Sequence, residues 1–388
     1  MHPRLTILAL AAAAAGAFAA AGPAQAAPVE IARQPGIARQ VVVGGADTAW
    51  TRCRGLRGRV EVWTARGRSR PRRISALTRR GACEPQRLLG IARRNLLVEV
   101  PTGGRTQVLA VPLKGGPRRV LAEETSGPEG LEIVDASAGG NRVAWIQLTG
   151  PADDRVAEVI ALDIRRGGPS VVYTRHLSPE AVEPTGVWIS PGGRVVVRER
   201  LRGAQYGYGS GRDRLQVVLA DGRLRAIAGT SGRVRIVDAS VGGRWMTYSV
   251  AREGDRRVWI YARDLQRGTK KRLRVVRAAP PRQALAAPQV PTPVTSGSLT
   301  AWRERTRKGR RFLDVIRSAR ALQTRRSTVD RHLDVHGQRL FQSPPVVERR
   351  RATWAVVEFR RSTGWGGGYA GRARARAIPR STILRQRI

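Results

Sequence analysis

The chain has 388 residues, long enough to bury a large core in one repeat-built domain or in two or three ordinary ones. Lys and Arg number 71 and Asp and Glu 29, which gives a formal net charge of +42. A field of this sign attracts polyanions such as nucleic acid, anionic lipid head groups and acidic wall polymers, although arginines scattered over an exposed surface would select no partner. No helix-turn-helix, zinc-finger or other nucleic-acid module is visible, which argues against sequence-specific nucleic-acid recognition.

Residues 1–26 have the features of a secretory signal peptide. Arg4 precedes an apolar run over residues 5–21, and Ala24 and Ala26 form a small-x-small cleavage site. No second apolar stretch of about 18 residues follows, which excludes a polytopic membrane protein; an uncleaved N-terminal anchor is the alternative. We therefore expect a protein that is secreted or resides in the periplasm or cell envelope, with no membrane span after cleavage.

The mature sequence is built from repeats. The motif IVDASAGG at 133–140 returns as IVDASVGG at 236–243, and an aromatic residue follows the last glycine of each by five positions. The same frame recurs at intervals of about 50 residues, a period typical of propellers and solenoids. The seven anchor positions are Trp50, Leu97, Trp145, Val197, Tyr248, Trp302 and Trp354.

Each repeat unit predicts four short antiparallel strands, A to D, separated by glycine-containing turns. Almost no helical periodicity follows the signal. We predict an all-β fold over residues 27–388, a single β-propeller of seven four-stranded blades, with six or eight blades as alternatives. The anchors are expected to fill the gaps between adjacent blades. The predicted blades span about 40–80, 87–124, 132–175, 184–229, 234–276, 290–329 and 341–388.

The repeat pattern does not decide which segment closes the ring. Residues 28–35 are candidates to pair with the last blade. Residues 381–388, however, read as a fourth strand that unit 7 supplies for itself.

Unit 4 carries a family resemblance. WISPGGRVVVRERLRG, followed by DRLQVVLADGRLRAIAG, resembles the Ser-Pro-Asp-Gly repeat of TolB-like and WD-repeat-like propellers, with Gly192 where the family usually has Asp. The hairpins LDIRRGGPSVV and VPLKGGPRRVL are similar to the same family. The resemblance implies the propeller fold and a frequent location outside the cytoplasm, but no activity.

The two cysteines are expected to meet. In a propeller the B–C loops and the D–A connections share one face, here called the top face. Cys53 ends strand B of unit 1 and Cys83 lies in the connection to unit 2, so both belong to the top face. An exported protein with one cysteine pair usually oxidises it, and we predict a Cys53–Cys83 disulfide; two free, buried thiols are the alternative.

Two long, glycine-rich B–C loops are candidate ligand-binding elements. The loop of unit 4 contains Tyr206 and Tyr208, and that of unit 7 contains Trp365 and Tyr369. Exposed aromatic rings on loops above a rigid scaffold are a common binding arrangement. The alternative is that the rings pack on the neighbouring blade.

Asp135 and Asp238 are the second group of candidate ligand-binding residues. Each lies ten residues before its anchor, so both should face the central channel. Paired carboxylates can transfer protons or hold a cation. In the alternative, structural interpretation each aspartate caps its own backbone two residues further on.

No pattern in the sequence predicts a catalytic residue, a metal site or a cofactor. His332 and His336 are four residues apart but do not form a His-Glu-x-x-His motif, and they fall between units 6 and 7. Neither a Gly-x-Ser-x-Gly elbow nor a phosphate-binding loop is present.

These observations favour an exported, non-catalytic propeller that acts as a binding or scaffold protein. Its top face would hold a ligand or partner, either a protein or an anionic envelope polymer. The alternative is a propeller enzyme, a hydrolase or lyase acting on a glycan or peptide, with acids at the channel mouth. A glycosidase would require Asp135 and Asp238 to converge without being neutralised by arginines.

Overall fold

A computed structural model describes most of the chain after the predicted signal, and every regular element in it is a β-strand. No helix in this part of the chain has the length and apolar character needed to cross a membrane. The described residues are 28–53, 59–80, 86–127, 130–151, 154–177, 182–201, 212–230, 234–252, 255, 257–277, 292–308, 311–320, 326–333, 339–342, 345–359 and 380–387.

The strands fall into seven sheets, which we number as blades 1 to 7. In chain order they are β1 (Val29–Pro35), β2 (Ile37–Gly44), β3 (Asp47–Cys53), β4 (Arg59–Arg66), β5 (Arg72–Arg80), β6 (Arg87–Ala92), β7 (Asn95–Thr102), β8 (Arg105–Pro112), β9 (Arg119–Glu123), β10 (Glu132–Gly139), β11 (Arg142–Thr149), β12 (Arg155–Asp163), β13 (Pro169–Leu177), β14 (Val182–Ile189), β15 (Val195–Leu201), β16 (Arg212–Val218), β17 (Leu224–Gly229), β18 (Val234–Gly242), β19 (Trp245–Arg252), β20 (Arg257–Asp264), β21 (Lys270–Arg277), β22 (Val294–Ser296), β23 (Leu299–Lys308), β24 (Arg311–Arg320), β25 (Arg326–Leu333), β26 (Arg339–Gln342), β27 (Val346–Glu348), β28 (Arg351–Phe359) and β29 (Arg380–Arg387).

Blades 1 to 6 are antiparallel meanders of four consecutive strands, beginning at β2, β6, β10, β14, β18 and β22. Four-stranded sheets repeated radially are the construction of a β-propeller. The predicted seven-bladed propeller is therefore confirmed, and the six- and eight-bladed alternatives are wrong.

Blade 7 is built from both ends of the chain. Its strand order is β1-β29-β28-β26, and β27 also pairs with β28, so two short segments occupy the innermost position. The antiparallel pairing of β1 and β29 matches Gln34 with Ser381 and Pro35 with Arg380. Residues 381–387 therefore form the third strand of the blade rather than the fourth. The fourth strand is β1, and its hydrogen bonds to β29 close the ring.

The anchor residues lie between neighbouring blades, as the repeat predicts. Trp302 of blade 6 is fully buried against Ile260 and Ala262 of blade 5. Trp354 of blade 7 packs in the same way against Ile316 of blade 6. Because a four-stranded sheet has two faces and almost no core of its own, each blade depends on such contacts with the next to remove its apolar surface from water.

The paired glycines of the repeated motif answer two separate steric demands. A Cβ atom added at Gly139 would lie 2.2 Å from the carbonyl oxygen of Ile189 in the next blade, so there is no room for a side chain. Gly140 has a φ of +61°, which L-residues with side chains rarely adopt. The first glycine lets the blades approach each other near the channel, and the second turns the chain into strand B.

Candidate functional site around the central channel

The innermost strands surround a central cavity of about 700 Å³, lined by residues of all seven blades. This is the channel that Asp135 and Asp238 were predicted to face. Both aspartates lie on innermost strands, Asp135 on β10 of blade 3 and Asp238 on β18 of blade 5, and each follows a β-bulge. Neither is among the residues that line the cavity, which on these strands begin at Ser137 and Ser240. Their surroundings nevertheless differ.

Asp135 is held by two neighbouring blades at once. One carboxylate oxygen lies 2.6 Å from Nη1 of Arg87 in blade 2, and the other accepts a hydrogen bond from the backbone N–H of Val187 in blade 4 at 2.8 Å. Arg87 also pairs with Glu99 at 2.8 Å. Burial alone would lower the pKa of Arg87, but the charges of Asp135 and Glu99 outweigh it and raise that pKa. Asp135 therefore acts as a clasp between blades.

Two serines, each two residues after one of the aspartates, make the same kind of contact between neighbouring blades. Ser137 accepts a hydrogen bond from the backbone N–H of Ile189 at 3.1 Å, and Ser240 accepts one from Thr295 at 3.0 Å. The alternative interpretation, in which the aspartate caps its own backbone two residues further on, is thus wrong for Asp135. The backbone N–H groups that bind Asp135, Ser137 and Ser240 belong to the following blade, more than 50 residues away in sequence.

Asp238 cannot complete the same pattern. Ser137 and Asp135 bind the N–H groups of Ile189 and Val187, two residues apart. In blade 5, Ser240 binds Thr295, so the matching donor for Asp238 would be residue 293. That residue is Pro293, which has no N–H.

Asp238 instead accepts hydrogen bonds from the backbone N–H of Ala239, at 2.7 Å, and from the indole of Trp188. Burial and, to a smaller degree, the charge of Asp135 raise its pKa from the usual 3.8 to about 6. The Ala239 and Trp188 hydrogen bonds and the Arg198 charge act in the opposite direction without cancelling this. Asp238 is therefore a carboxyl whose burial gives it a pKa of about 6.

Trp188 and Arg198 are site residues that the sequence analysis missed. Trp188 lies on β14 and lines the cavity. Arg198, on β15, donates to the carbonyl oxygens of Thr185 at 2.7 Å and of Ile236 at 3.0 Å, and so joins blades 4 and 5. Burial lowers the pKa of Arg198. The only sequence signal for Trp188 was its position on strand A, one residue from the position equivalent to the aspartates.

The carboxyl pair does not have the form that glycoside hydrolysis requires. In that reaction one carboxyl donates a proton while the other acts as nucleophile or base. Both oxygens of Asp135 are engaged, one of them by an arginine. Burial raises the pKa of Asp238 to about 6, which suits that carboxyl to proton transfer near neutral pH. Within the described part of the chain no group of three or more His, Cys, Asp or Glu could hold a metal ion.

Several predicted site residues lie outside the described residues: Tyr206, Tyr208, Trp365, Tyr369 and Cys83. His336, which was not assigned to a site, lies outside them too. The backbone of His332 lies in β25. Cys53 ends β3 and is buried, and no cysteine in the described part of the chain is a free thiol. The pairing of Cys53 with Cys83 stays a prediction.

Comparison with known proteins shows the fold but not the activity. No protein-family model matches the chain, and no curated protein matches it. Among solved structures it is similar to the β-propeller domain of the Trilobed protease from Pyrococcus furiosus, with a TM-score of 0.52, 10% identity, and coverage of 83% of this chain and 92% of that one.

Two further similarities are weaker. TolB from Acinetobacter baumannii matches with a TM-score of 0.42, 13% identity, and coverage of 73% of this chain and 60% of that one. Oligogalacturonate lyase from Vibrio parahaemolyticus matches with a TM-score of 0.48, 9% identity, and coverage of 93% and 98%. At these identities the similarities show the propeller fold alone, and a fold does not determine a function.

Proposed function

We propose that this chain is an exported, non-catalytic binding or scaffold protein whose top face holds a protein partner or an anionic envelope polymer. The observation that carries the proposal is the state of Asp135. Its two oxygens bind Arg87 and the Val187 N–H, so the carboxylate that a paired-acid enzyme would need is part of the framework.

Two further features support this role. The N-terminal sequence has the order of a signal peptide, and the net charge of +42 favours anionic partners. The long B–C loops with Tyr206 and Trp365 are the elements that we expect to contact the ligand, because loops on a rigid scaffold carry binding residues disproportionately often.

The proposal is tested by capture from the envelope fraction of the source cells, using the mature chain, residues 27–388, as bait. We expect Tyr206→Ala and Trp365→Ala to reduce the amount of captured partner. The matched control is Trp245→Ala, which removes a half-buried ring at the opposite end of blade 5. Capture that is equal in all variants would remove the loops from the binding surface.

Asp238 favours one alternative function, a propeller enzyme acting on a glycan or peptide. A carboxyl with a pKa of about 6 is suited to proton transfer near neutral pH. Turnover of oligosaccharides or peptides by the mature chain that is lost in Asp238→Asn would establish the enzyme and overturn the non-catalytic proposal. Turnover that is absent in both proteins would support it.

A further inference from the structure

The turns between strands A and B and between strands C and D lie opposite the B–C loops, on what we call the bottom face. In blades 2 and 7 the A–B turn is a pair of arginines, Arg93–Arg94 and Arg349–Arg350. All four have positive φ, at 47°, 65°, 43° and 64°, and all four are exposed. They are the only non-glycine residues with positive φ in the part of the chain that the structure describes.

Glycine occupies the corresponding turn in most other blades. Gly45, Gly140, Gly243 and Gly297 have φ values between 57° and 67° at this point. A side chain in this conformation places Cβ against the backbone, so arginine is a costly choice where glycine fits. Strained non-glycine residues that persist in a fold are a feature of functional sites. The paired arginines therefore point to a role for their guanidinium groups.

The Arg93–Arg94 turn borders a recess between blades 1 and 2, which we call recess 1–2. It has a volume of about 330 Å³. Arg72 donates to the carbonyl oxygens of Leu113 and Lys114 and so bridges the two blades at its edge. The recess is lined by one carboxylate, Asp47, and by five cationic side chains, Arg66, Arg70, Arg72, Arg94 and Lys114.

The Arg349–Arg350 turn borders a second recess, between blades 7 and 1, of about 290 Å³, which we call recess 7–1. Its cationic residues are Arg349, Arg351 and Arg385, and its carboxylate is Glu348. Both carboxylate oxygens of Glu348 accept a hydrogen bond from the backbone N–H of Gly45, each at 2.9 Å. The A–B turn of blade 1 separates the two recesses, so they form neighbouring parts of one basic surface.

Strand register shows how the charges at the bottom face differ between blades. In blades 3 and 5 the last residue of strand C is an aspartate, and it lies near an arginine: Asp163 is 3.6 Å from Arg142, and Asp264 is 3.5 Å from Arg244. The same register position is Arg66 in blade 1 and Pro112 in blade 2. Blade 2 thus has no acid at this pair, and in blade 1 the acid is Asp47 on strand B, opposite Arg66.

Arg385 shows the electrostatic consequence. It is anchored by Thr48 Oγ1 at 2.6 Å and by Thr353 Oγ1 at 3.2 Å. Burial and the nearby charge of Arg351 lower its pKa, and Glu348 offsets this only in part. A bound anion would relieve that repulsion.

We propose that the bottom face of blades 7, 1 and 2 binds a linear phosphate polymer, which runs from recess 7–1 over the A–B turn of blade 1 into recess 1–2. Guanidinium groups match phosphate oxygens with paired hydrogen bonds. A single carboxylate would balance one of the five cations of recess 1–2, whereas successive phosphates supply several charges and many acceptor oxygens. The inference rests on the proposed role as an exported binding protein but assigns it a second surface, separate from the top-face loops.

The test measures binding of fluorescently labelled inorganic polyphosphate to the mature chain by anisotropy over a range of salt concentrations. The variant is Arg93→Gly with Arg94→Gly. Because glycine suits this turn, the melting temperature should stay equal or rise. The affinity should fall on the order of tenfold, and the slope of log affinity against log salt should decrease by about two, one for each lost contact.

The matched control is Arg166→Ala with Arg267→Ala, which removes the same charge from the C–D turns of blades 3 and 5. Its affinity should stay near that of the unmodified chain. An equal loss in both double variants, or no loss in either, would overturn the site. Equally tight binding of polyglutamate at matched charge would overturn the assignment to phosphate. The two proposals can fail separately. If the chain binds polyphosphate but captures nothing from the envelope fraction, the phosphate site is supported and the top-face proposal is wrong.

Discussion

The carboxylate of Asp135 accepts a hydrogen bond from the backbone N–H of Val187 at 2.8 Å, across the boundary between blades 3 and 4. Through Arg87 the same group reaches back to blade 2. One side chain therefore connects three successive blades. Its partners Arg87 and Val187 each lie about 50 residues from it in the sequence. In a ring of sheets that have little core of their own, such links help to fix the position of each blade relative to the next.

Asp135→Asn should destabilise the protein by about 1–3 kcal/mol. The amide oxygen can still accept from Val187, but the charge that pairs with Arg87 is lost, and Arg87 keeps Glu99 and the carbonyl oxygen of Ala136. The free energy of unfolding from urea titration measures the effect. Asp221→Asn is the control, since its ion pair with Arg223 is exposed to solvent and should contribute much less to stability. Equal effects of the two substitutions would contradict the clasp.

Asp238 should make stability fall as pH rises from about 4 to about 6. Its folded-state pKa of about 6 lies above the usual 3.8, so in this window the folded protein binds more protons than the unfolded chain. Stability then decreases with pH, by roughly 2 kcal/mol in total. Asp238→Asn should remove this decrease and stabilise the protein at pH 7. Unfolding free energies of both proteins between pH 4 and 8 measure it, and parallel pH curves would contradict the assignment.

Pro293 gives a sharper test of why Asp238 titrates where it does. Pro293→Ala creates a backbone N–H at the position that corresponds to Val187, whose N–H binds Asp135. The new donor favours the charged carboxylate, so the pKa of Asp238 should fall from about 6 toward its usual value. Carboxyl chemical shifts followed by NMR during a pH titration, with Asp238→Asn for assignment, measure the change.

Ser240→Ala is the matched control for Pro293→Ala. It removes the neighbouring hydrogen bond to Thr295 without offering Asp238 a donor. The pKa of Asp238 should stay near 6 in this variant. If both substitutions lower the pKa alike, loosening of the boundary between blades 5 and 6 is the cause, and the missing N–H is not.

The sequence predicted those features that repeat along the chain. Trp145 and Trp302 recur in one frame because every blade presents the same surface to its neighbour, so period alone revealed the blades. The position of Asp135 on an innermost strand followed from the same frame. Its donor did not, because Val187 comes near only when separate blades pack, and no local pattern encodes that contact. The Arg93–Arg94 turn was equally hidden, since its positive φ values contradict the residue preference of that conformation.

Ring closure was predicted only in part for a related reason. Residues 381–387 alternate like any outer strand, and nothing local shows that the last blade still lacks one member. Strand β1 supplies it, and Ile31 of β1 packs with Ile383 of β29 and with Trp50 of blade 1. The N-terminal strand therefore seals blade 7 and also covers the boundary between the last and the first blade.

Ile31→Asp should weaken this closure by more than about 3 kcal/mol, because it places a carboxylate where the side chain is buried between β29 and Trp50. The expected result is a lower urea midpoint together with faster backbone amide exchange in β1 and β29, the two strands whose pairing closes the ring. Val29→Asp is the control, since Val29 lies on the same strand and is 38% exposed. The free energy of unfolding of this control variant should change by less than about 0.5 kcal/mol. Amide exchange that accelerates equally in all seven blades would show that the ring unfolds as one unit and that β1 has no special part in keeping it closed.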